Sequence, residues 1–228
     1  MNTCTLRFRA LLPMTGSAPV ENGQLIVERG RIREIQHDAS APVVGKLIDL
    51  SDCLILPGFV NAHCHLALSA LKGRIPRRDR FTDWARSMIG ENEMVSMQNR
   101  ILTLHAQAKV MARSGVTALV DYLPQAELAT EYALLPFRQT LFLEVLGFRP
   151  LLTKPIAEKL ESFLKKNSAG SRSIKWGLAP HAPYSVSPAL FREVKRLADQ
   201  YKCPLSCHVA EFPEELQLLM EGSGDMKD

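Results

Sequence analysis

The chain has 228 residues, of which 46% are hydrophobic and 23% charged, and its formal net charge is +4. These proportions are ordinary for a soluble globular protein. No apolar run reaches the roughly 18 residues of a membrane span, so the sequence predicts no membrane partner. The densest basic stretch, residues 72–80, contains no aromatic residue, which argues against nucleic acid as a partner.

The cysteines and the N-terminus indicate a cellular compartment. The five cysteines are odd in number and lack the spacing of a disulfide framework, which predicts reduced thiols in a cytoplasmic protein. Cys203 and Cys207 are too far apart for a C-x-x-C pair, so a zinc–thiolate site is not favoured. No signal peptide is evident.

The first 56 residues are rich in predicted strands. Residues 3–12 form one candidate strand, and residues 23–36 a hairpin that turns at Glu28–Gly30. Two further short strands are predicted at residues 46–50 and 53–56. A segment of this size is too small to close a comfortable core, so we expect it to pack on another part of the protein.

From Pro57 onward, strand and helix patterns alternate, and residues 57–228 are expected to form one domain. Short apolar runs predict strands at residues 53–60, 116–122, 140–146, 173–179 and 204–209. Helices are predicted at residues 81–113, with a break near Gly90 left open, and at 125–135, 155–166, 187–201 and 214–220. The alternation predicts a parallel α/β fold, and the repeated units favour a (β/α) barrel over a doubly wound sheet.

Four histidines follow three of these predicted strands. His63 and His65, in LPGFVNAHCHL, are one residue apart, so both side chains leave an extended segment on the same side. His181 follows the fourth strand, and His208 lies at the carboxyl end of the fifth. Neutral imidazole is the commonest protein ligand for metals, and barrel chemistry lies at the carboxyl ends of strands. The sequence therefore predicts a metal-dependent site at this end of the barrel.

Three motifs resemble a known family. PGFVNAHCHLALSAL, GLAPHAPYSVSP and CHVAEFPEE, in this order, are similar to the amidohydrolase superfamily, in its branch of nucleobase, adenosyl and triazine deaminases and chlorohydrolases. FTDWARSMI and EFPEELQLLMEGSG are also similar to a subgroup that includes aminofutalosine deaminases. The resemblance covers nearly the whole chain. It implies a (β/α)8 TIM barrel, of which about five units are present, and residues 1–56 as part of an N-terminal β-sandwich.

The resemblance also implies roles for individual residues. His63, His65 and His208 would bind one divalent metal ion, zinc or alternatively iron, leaving a coordination position for water whose pKa the cation lowers. Glu211 would take a proton from that water and pass it to the leaving amine. His181 would hold the substrate and polarise its ring or the attacking hydroxide. The implied reaction is hydrolytic deamination of a purine-like or other aminated heterocycle, a small-molecule substrate.

Structural alternatives exist for two of these residues. His181 could be a loop residue that hydrogen-bonds to the backbone, and Glu211 could complement the dipole at a helix N-terminus. The resemblance also implies the number of metal ions. Two-metal relatives bridge their ions through a lysine that ends the fourth strand, whereas Lys175 begins that strand here. We therefore expect one ion.

Other acidic residues have open roles. Glu144, within LFLEVLGF, needs a partner if it is buried, and it could face the substrate. Glu91 or Glu93 could reach a substrate ribose or amine, and Glu93 stands as the substrate-binding candidate. Asp121 ends the second strand and is expected to cap the next turn.

The match to the family is incomplete. Relatives supply a histidine after strand six and an aspartate after strand eight, and the printed sequence has no counterpart of either. We expect the chain to be an N-terminal fragment that by itself binds metal poorly and turns over little substrate. The alternative function is a catalytically inactive remnant, or a subunit that needs another chain to complete its barrel. A homo-oligomer is also possible on this reasoning.

Overall fold

The structure is a computed structural model that describes residues 3–167 and 173–227. The chain divides into two compact units, Met1–Gly58 and Phe59–Asp228. Among the described residues, no helix combines the length and the apolar character that crossing a membrane requires.

The first unit contains one mixed four-stranded sheet in the order β3-β2-β1-β4. Its strands are β1 (Thr3–Leu11), β2 (Val20–Glu28), β3 (Arg31–Gln36) and β4 (Lys46–Ile55). Strands β2 and β3 form the predicted hairpin, and Arg29 and Gly30 between them have φ of 53° and 73°. Two consecutive left-handed residues are what a two-residue hairpin turn needs.

The prediction of two short strands at residues 46–50 and 53–56 was wrong. Residues 46–55 form one strand, parallel to β1, with a register shift between Phe8 and Ala10. A bulge of this kind lets pairing continue past a stretch whose local pattern reads as an interruption. The small core of this unit centres on Phe8, Leu11, Val20 and Leu25.

The second unit has a parallel four-stranded sheet in the order β5-β6-β7-β8. Its strands are β5 (Phe59–Cys64), β6 (Val116–Leu123), β7 (Arg138–Val145) and β8 (Ile174–Pro180). The helices are α1 (Phe81–Glu93), α2 (Met97–Arg113), α3 (Ala129–Tyr132), α4 (Thr153–Asn167), α5 (Pro188–Tyr201) and α6 (Pro213–Glu221), with 3₁₀ turns at Leu66–Leu71, Ala126–Leu128 and Pro150–Leu152. The alternation confirms the predicted parallel α/β class.

The predicted helix over residues 81–113 is two helices, and the break is not near Gly90. Gly90 lies inside α1, and the chain leaves helical geometry between Met94 and Ser96. The Ser96 side chain accepts a hydrogen bond from the Asn99 backbone N–H at 3.2 Å, which caps α2. A serine cap satisfies an unpaired N–H at the new helix start, whereas a single glycine only weakens a helix.

The predicted fifth strand is reduced to a single parallel bridge between Leu178 and Leu205. Hydrogen bonds join Leu178 N–H to the Pro204 carbonyl at 3.1 Å and Ser206 N–H to the Leu178 carbonyl at 3.2 Å. Pro204 has no N–H to donate, which shortens the possible ladder. Gly177 permits the approach, since a Cβ there would lie 2.7 Å from the Pro204 carbonyl oxygen.

The two faces of the sheet are covered differently. Alternate residues of β6 and β7, including Leu119, Leu141 and Leu143, pack with the helices in the main core. Tyr122 and Phe142 point to the other face, where they pack with Ala179. In a barrel-type sheet this second face is the interior, and the polar residues of the candidate site lie at its carboxyl end.

Candidate functional site

Four histidines converge where the strands of the second unit end. His63 is the penultimate residue of β5, and His65 comes directly after this strand. His181 follows β8, with its backbone N–H bonded to the Val145 carbonyl at 3.0 Å. The His208 N–H donates to the His181 carbonyl at 2.8 Å. This hydrogen bond holds His208 beside His181.

His63, His65 and His208 form a compact cluster. Their ring centroids are 5.1 Å apart for His63–His65, 5.1 Å for His63–His208 and 5.4 Å for His65–His208. One nitrogen from each ring lies within 4.8 Å of the other two. Three imidazole nitrogens that converge in this way fit a divalent metal ion such as zinc, which favours nitrogen ligands.

The contacts of His208 and the protonation of His65 also suit metal binding. The Nδ1 of His208 is 3.1 Å from the His181 carbonyl, which leaves Nε2 for a metal ion. Burial, together with the neighbouring imidazoles, lowers the pKa of His65 to about 4. At neutral pH the His65 ring is therefore neutral, the form that binds metals.

Tyr122 lies beneath the cluster and was missed by the sequence analysis. Its ring centroid is 4.8 Å from that of His63, 5.1 Å from His65 and 5.0 Å from His208, and its hydroxyl is 2.7 Å from Ser206 Oγ. The period of two along β6 places Tyr122 opposite the core-facing Leu119 and Leu123. This alternation in the sequence could have indicated that Tyr122 faces the interior of the sheet.

Asp121 anchors the segment that follows the H-x-H motif. Its buried carboxylate accepts hydrogen bonds from the backbone N–H of Leu66 at 3.2 Å, from its neighbour Tyr122 at 2.7 Å, and from the Tyr132 hydroxyl at 3.0 Å. Asp121 was expected to cap the turn after its own strand. It caps instead the 3₁₀ turn Leu66–Leu71, 55 positions away, which fixes the chain directly after His65.

We expect Asp121→Asn to change how stability depends on pH. Burial raises the pKa of Asp121 to about 7, whereas an unfolded aspartate titrates near about 3.9. Between these values the folded state holds a proton that the unfolded state has lost, so this group's contribution to stability falls as pH rises from about 4 to about 7, by at most about 4 kcal/mol. The variant should lack this slope.

Urea unfolding of the metal-free 228-residue chain, followed by tryptophan fluorescence at several pH values, measures this effect. Both tryptophans, Trp84 and Trp176, lie in the second unit, so the signal reports on the unit that contains Asp121. Asp52→Asn, at an exposed position of the first unit, is the matched control. Parallel pH profiles for wild type and Asp121→Asn would contradict the expectation.

His181 presents one free ring nitrogen to the site. Its Nδ1 is 2.7 Å from Ser185 Oγ, which leaves Nε2 for a ligand. Burial, with a smaller effect of His208, lowers the pKa of His181 to about 4, so the ring is neutral at neutral pH. Ser185, which sets the orientation of His181, had no role in the sequence analysis although it lies in the same motif.

Glu144, the penultimate residue of β7, lies beside His181 and His208. One side-chain ligand atom from each of these three residues lies within 4.8 Å of the others. Burial raises the pKa of the Glu144 carboxyl, the charge of His208 opposes this, and the charge of Glu211 adds to it. The sequence left a substrate-facing role open for Glu144, and the structure places its carboxyl group among the site histidines.

Glu211 lies on the exposed turn between His208 and α6. Its backbone N–H donates to Oε2 of the buried Glu215 at 2.9 Å, and Ala210 before it has φ of 59°. A left-handed alanine is uncommon and is held only when its surroundings require it. Burial raises the pKa of Glu144 and of Tyr184, and the charge of Glu211 adds to both shifts.

Aromatic side chains border the Glu211 turn. Phe81, at the start of α1, stacks on Phe212 with ring centroids 3.5 Å apart, and Tyr184 is 5.8 Å from Phe212. Tyr184 also lies 5.7 Å from His181. These contacts bring the FTDWARSMI helix next to the site and give the site an apolar border.

The remaining candidates lie further along α1. Glu93 is exposed at the last residue of this helix, and Glu91 pairs with Arg74 at 2.9 Å. The substrate-binding role of Glu93, like the roles of His63, His65, His208, His181 and Glu211, stays a prediction. His105, outside the motifs, bonds to Glu131 at 2.8 Å, a structural contact.

A sequence profile described as the amidohydrolase family matches residues 54–226. The chain belongs to the amidohydrolase family. This confirms the resemblance that the three motifs carried. It also confirms the fold class, since amidohydrolase structures superpose on the chain over nearly all of its length.

Three known proteins illustrate the similarity of this amidohydrolase. It is 29% identical, over 225 residues, to the 5-methylthioadenosine/S-adenosylhomocysteine deaminase of Symbiobacterium thermophilum, covering 95% of this chain and 51% of that protein. Helicobacter pylori aminofutalosine deaminase, in complex with methylthio-coformycin, superposes with a TM-score of 0.81 at 25% identity, covering 97% and 54% of the two chains. An adenosine deaminase from Xanthomonas campestris with bound zinc has a TM-score of 0.77 at 23% identity, covering 96% and 52%, which shows the fold alone.

The amidohydrolase chain thus spans about half the length of the curated relatives it matches. The activities, substrates and metal in those names describe the named proteins. They serve below as support for a proposal about the present chain.

Proposed function

We propose that this amidohydrolase is a metal-dependent deaminase that hydrolyses an amino group from a purine-like heterocycle and releases ammonia. The observation that carries the proposal is the convergence of His63, His65 and His208 within 4.8 Å, at the carboxyl end of a parallel sheet. The names of relatives support the substrate class, since they are described as deaminases of 5-methylthioadenosine, S-adenosylhomocysteine and 5′-deoxyadenosine.

The metal site and the metal follow from the donor set. We infer that His63, His65 and His208 hold one zinc ion, because three imidazoles are a known catalytic zinc set. When bound, the ion would supply Lewis acidity and lower the pKa of a water molecule toward neutrality.

Glu211 would transfer protons, and His181 would bind the substrate. Glu211 is three residues from His208, and its exposed carboxylate can accept a proton from the attacking water and donate it to the departing amine. His181 can hydrogen-bond the ring of the substrate through Nε2, because Ser185 already engages Nδ1. Glu93 would contact a more distant part of the substrate, such as a ribose hydroxyl.

Ammonia release from a panel of nucleosides tests the proposal. The protein expressed from its complete gene would be loaded with zinc and supplied with 5′-methylthioadenosine, S-adenosylhomocysteine, aminofutalosine and, as a contrasting base, guanine. We expect turnover of at least one adenine-containing compound, abolished by a chelator and restored by zinc. Absence of ammonia release from every compound would contradict the proposal.

A further inference from the structure

Glu144 lies on the interior face of the sheet, on the same side as Tyr122 and Phe142. Along β7, Leu141, Leu143 and Val145 pack in the main core with the helices. Phe142 points the other way and stacks with Tyr122 at a centroid distance of 5.4 Å. Because side chains alternate along a strand, Glu144 shares the face of Phe142 and stands one step closer to the carboxyl end.

Glu144 is half-buried, and its carboxylate is incompletely satisfied. Its Oε1 is inaccessible and has no hydrogen-bond partner among residues 3–167 and 173–227. Most buried acceptors in folded proteins are paired, and an unpaired one costs free energy. One carboxyl oxygen of Glu144 lies within 4.8 Å of a ligand atom of both His181 and His208. A carboxylate in this position that is not fully paired is suited to a donor that arrives with a ligand.

A second metal ion does not fit beside Glu144. Such an ion would need His208, whose Nδ1 is 3.1 Å from the His181 carbonyl, so that Nε2 is the nitrogen left for coordination. A metal ion bound by His63 and His65 would need the same nitrogen of His208, and one lone pair binds one cation. Once the three-histidine site is loaded, Glu144 and the free Nε2 of His181 remain for the organic substrate.

We propose that Glu144 is a specificity-determining residue that accepts a hydrogen bond from the exocyclic amino group of the bound heterocycle. The inference rests on the proposed deaminase function and deepens it. An ionised carboxylate only accepts hydrogen bonds, so it pairs with an amino group and leaves a carbonyl oxygen at the same position unpaired. Glu144 would thereby favour the aminated substrate over the oxo product, which assists product release.

Glu144→Gln tests this role with little change of shape. The glutamine amide can donate as well as accept, so it can pair with a carbonyl oxygen. Binding would be measured by calorimetry with zinc-loaded protein from the complete gene, using 5′-methylthioadenosine and its 6-oxo counterpart. The Glu211→Gln background keeps turnover slow, and Glu158→Gln, at an exposed position of α4, is the matched control.

We expect Glu144→Gln to lower the preference for the amino compound over the oxo compound by roughly 10- to 100-fold, the effect of a hydrogen bond to a charged group. Zinc affinity should stay within about twofold, and Glu158→Gln should change neither value. Equal weakening of both compounds, or an unchanged preference, would overturn the inference while leaving the deaminase proposal in place. A large loss of zinc affinity would overturn it too, since Glu144 would then be a metal ligand. If the background protein with zinc binds neither compound, the proposed function fails and the role of Glu144 fails with it.

Discussion

Replacing His208 by asparagine is expected to lower the zinc affinity of the protein by roughly 100- to 1000-fold. Structural zinc sites with four ligands contribute about 10–16 kcal/mol in total, so one imidazole accounts for about 3–4 kcal/mol of binding free energy. His208 also connects the cluster to His181, through its own N–H and through Nδ1. His63→Asn should have an effect of the same order, because its ring is equally close to the other two.

Zinc titration calorimetry on the protein expressed from its complete gene measures these affinities. His37→Asn is the matched control, since it makes the same chemical change at an exposed position of the first unit. Wild-type affinity in both His208→Asn and His63→Asn would show that zinc binds elsewhere. The metal assignment would then be wrong.

Replacing Glu211 by glutamine is expected to reduce turnover by roughly 100- to 10,000-fold while leaving zinc bound. A positioned general acid–base contributes about this factor, and the amide of glutamine cannot carry the proton. The local structure should persist, because Glu211 contacts Glu215 through its backbone N–H rather than through its side chain. The zinc affinity should therefore stay close to that of the wild type.

Steady-state ammonia release, paired with a zinc determination on the same sample, separates the two effects. Glu214→Gln, in the first turn of α6, serves as the control for charge removal near the site. Turnover of Glu211→Gln within a few-fold of the wild type would exclude Glu211 as the proton carrier. A loss of both zinc and activity would indicate that the substitution disturbs the metal centre.

The sequence alone determined the order of elements and the residue types at the strand ends. Strands β6, β7 and β8 were predictable because apolar runs of strand length are local features, and Ser187 with Pro188 marked the start of α5. The H-x-H spacing already put His63 and His65 on one side of the chain. For the same local reason, the predicted fold class and family were correct.

Elements whose limits depend on distant partners were predicted less well. The sequence could not show that β4 pairs with β1 through a register shift, nor that residues 204–209 form only one bridge. Both outcomes depend on which backbone groups of a remote strand are available. The break before α2 lies at the capping serine, Ser96, whereas the sequence analysis considered only a break near Gly90.

The tertiary structure alone decided how the site is supported. Asp121 accepts a hydrogen bond from Leu66, 55 positions away, and the Tyr122 ring contacts three histidines. Glu144 places its incompletely paired carboxylate beside His181 and His208. Each contact depends on the parallel register of β5 to β8, which places residues from separate units of the chain at one level. Local patterns specify which face a side chain occupies, but only pairing between distant strands specifies what it meets there.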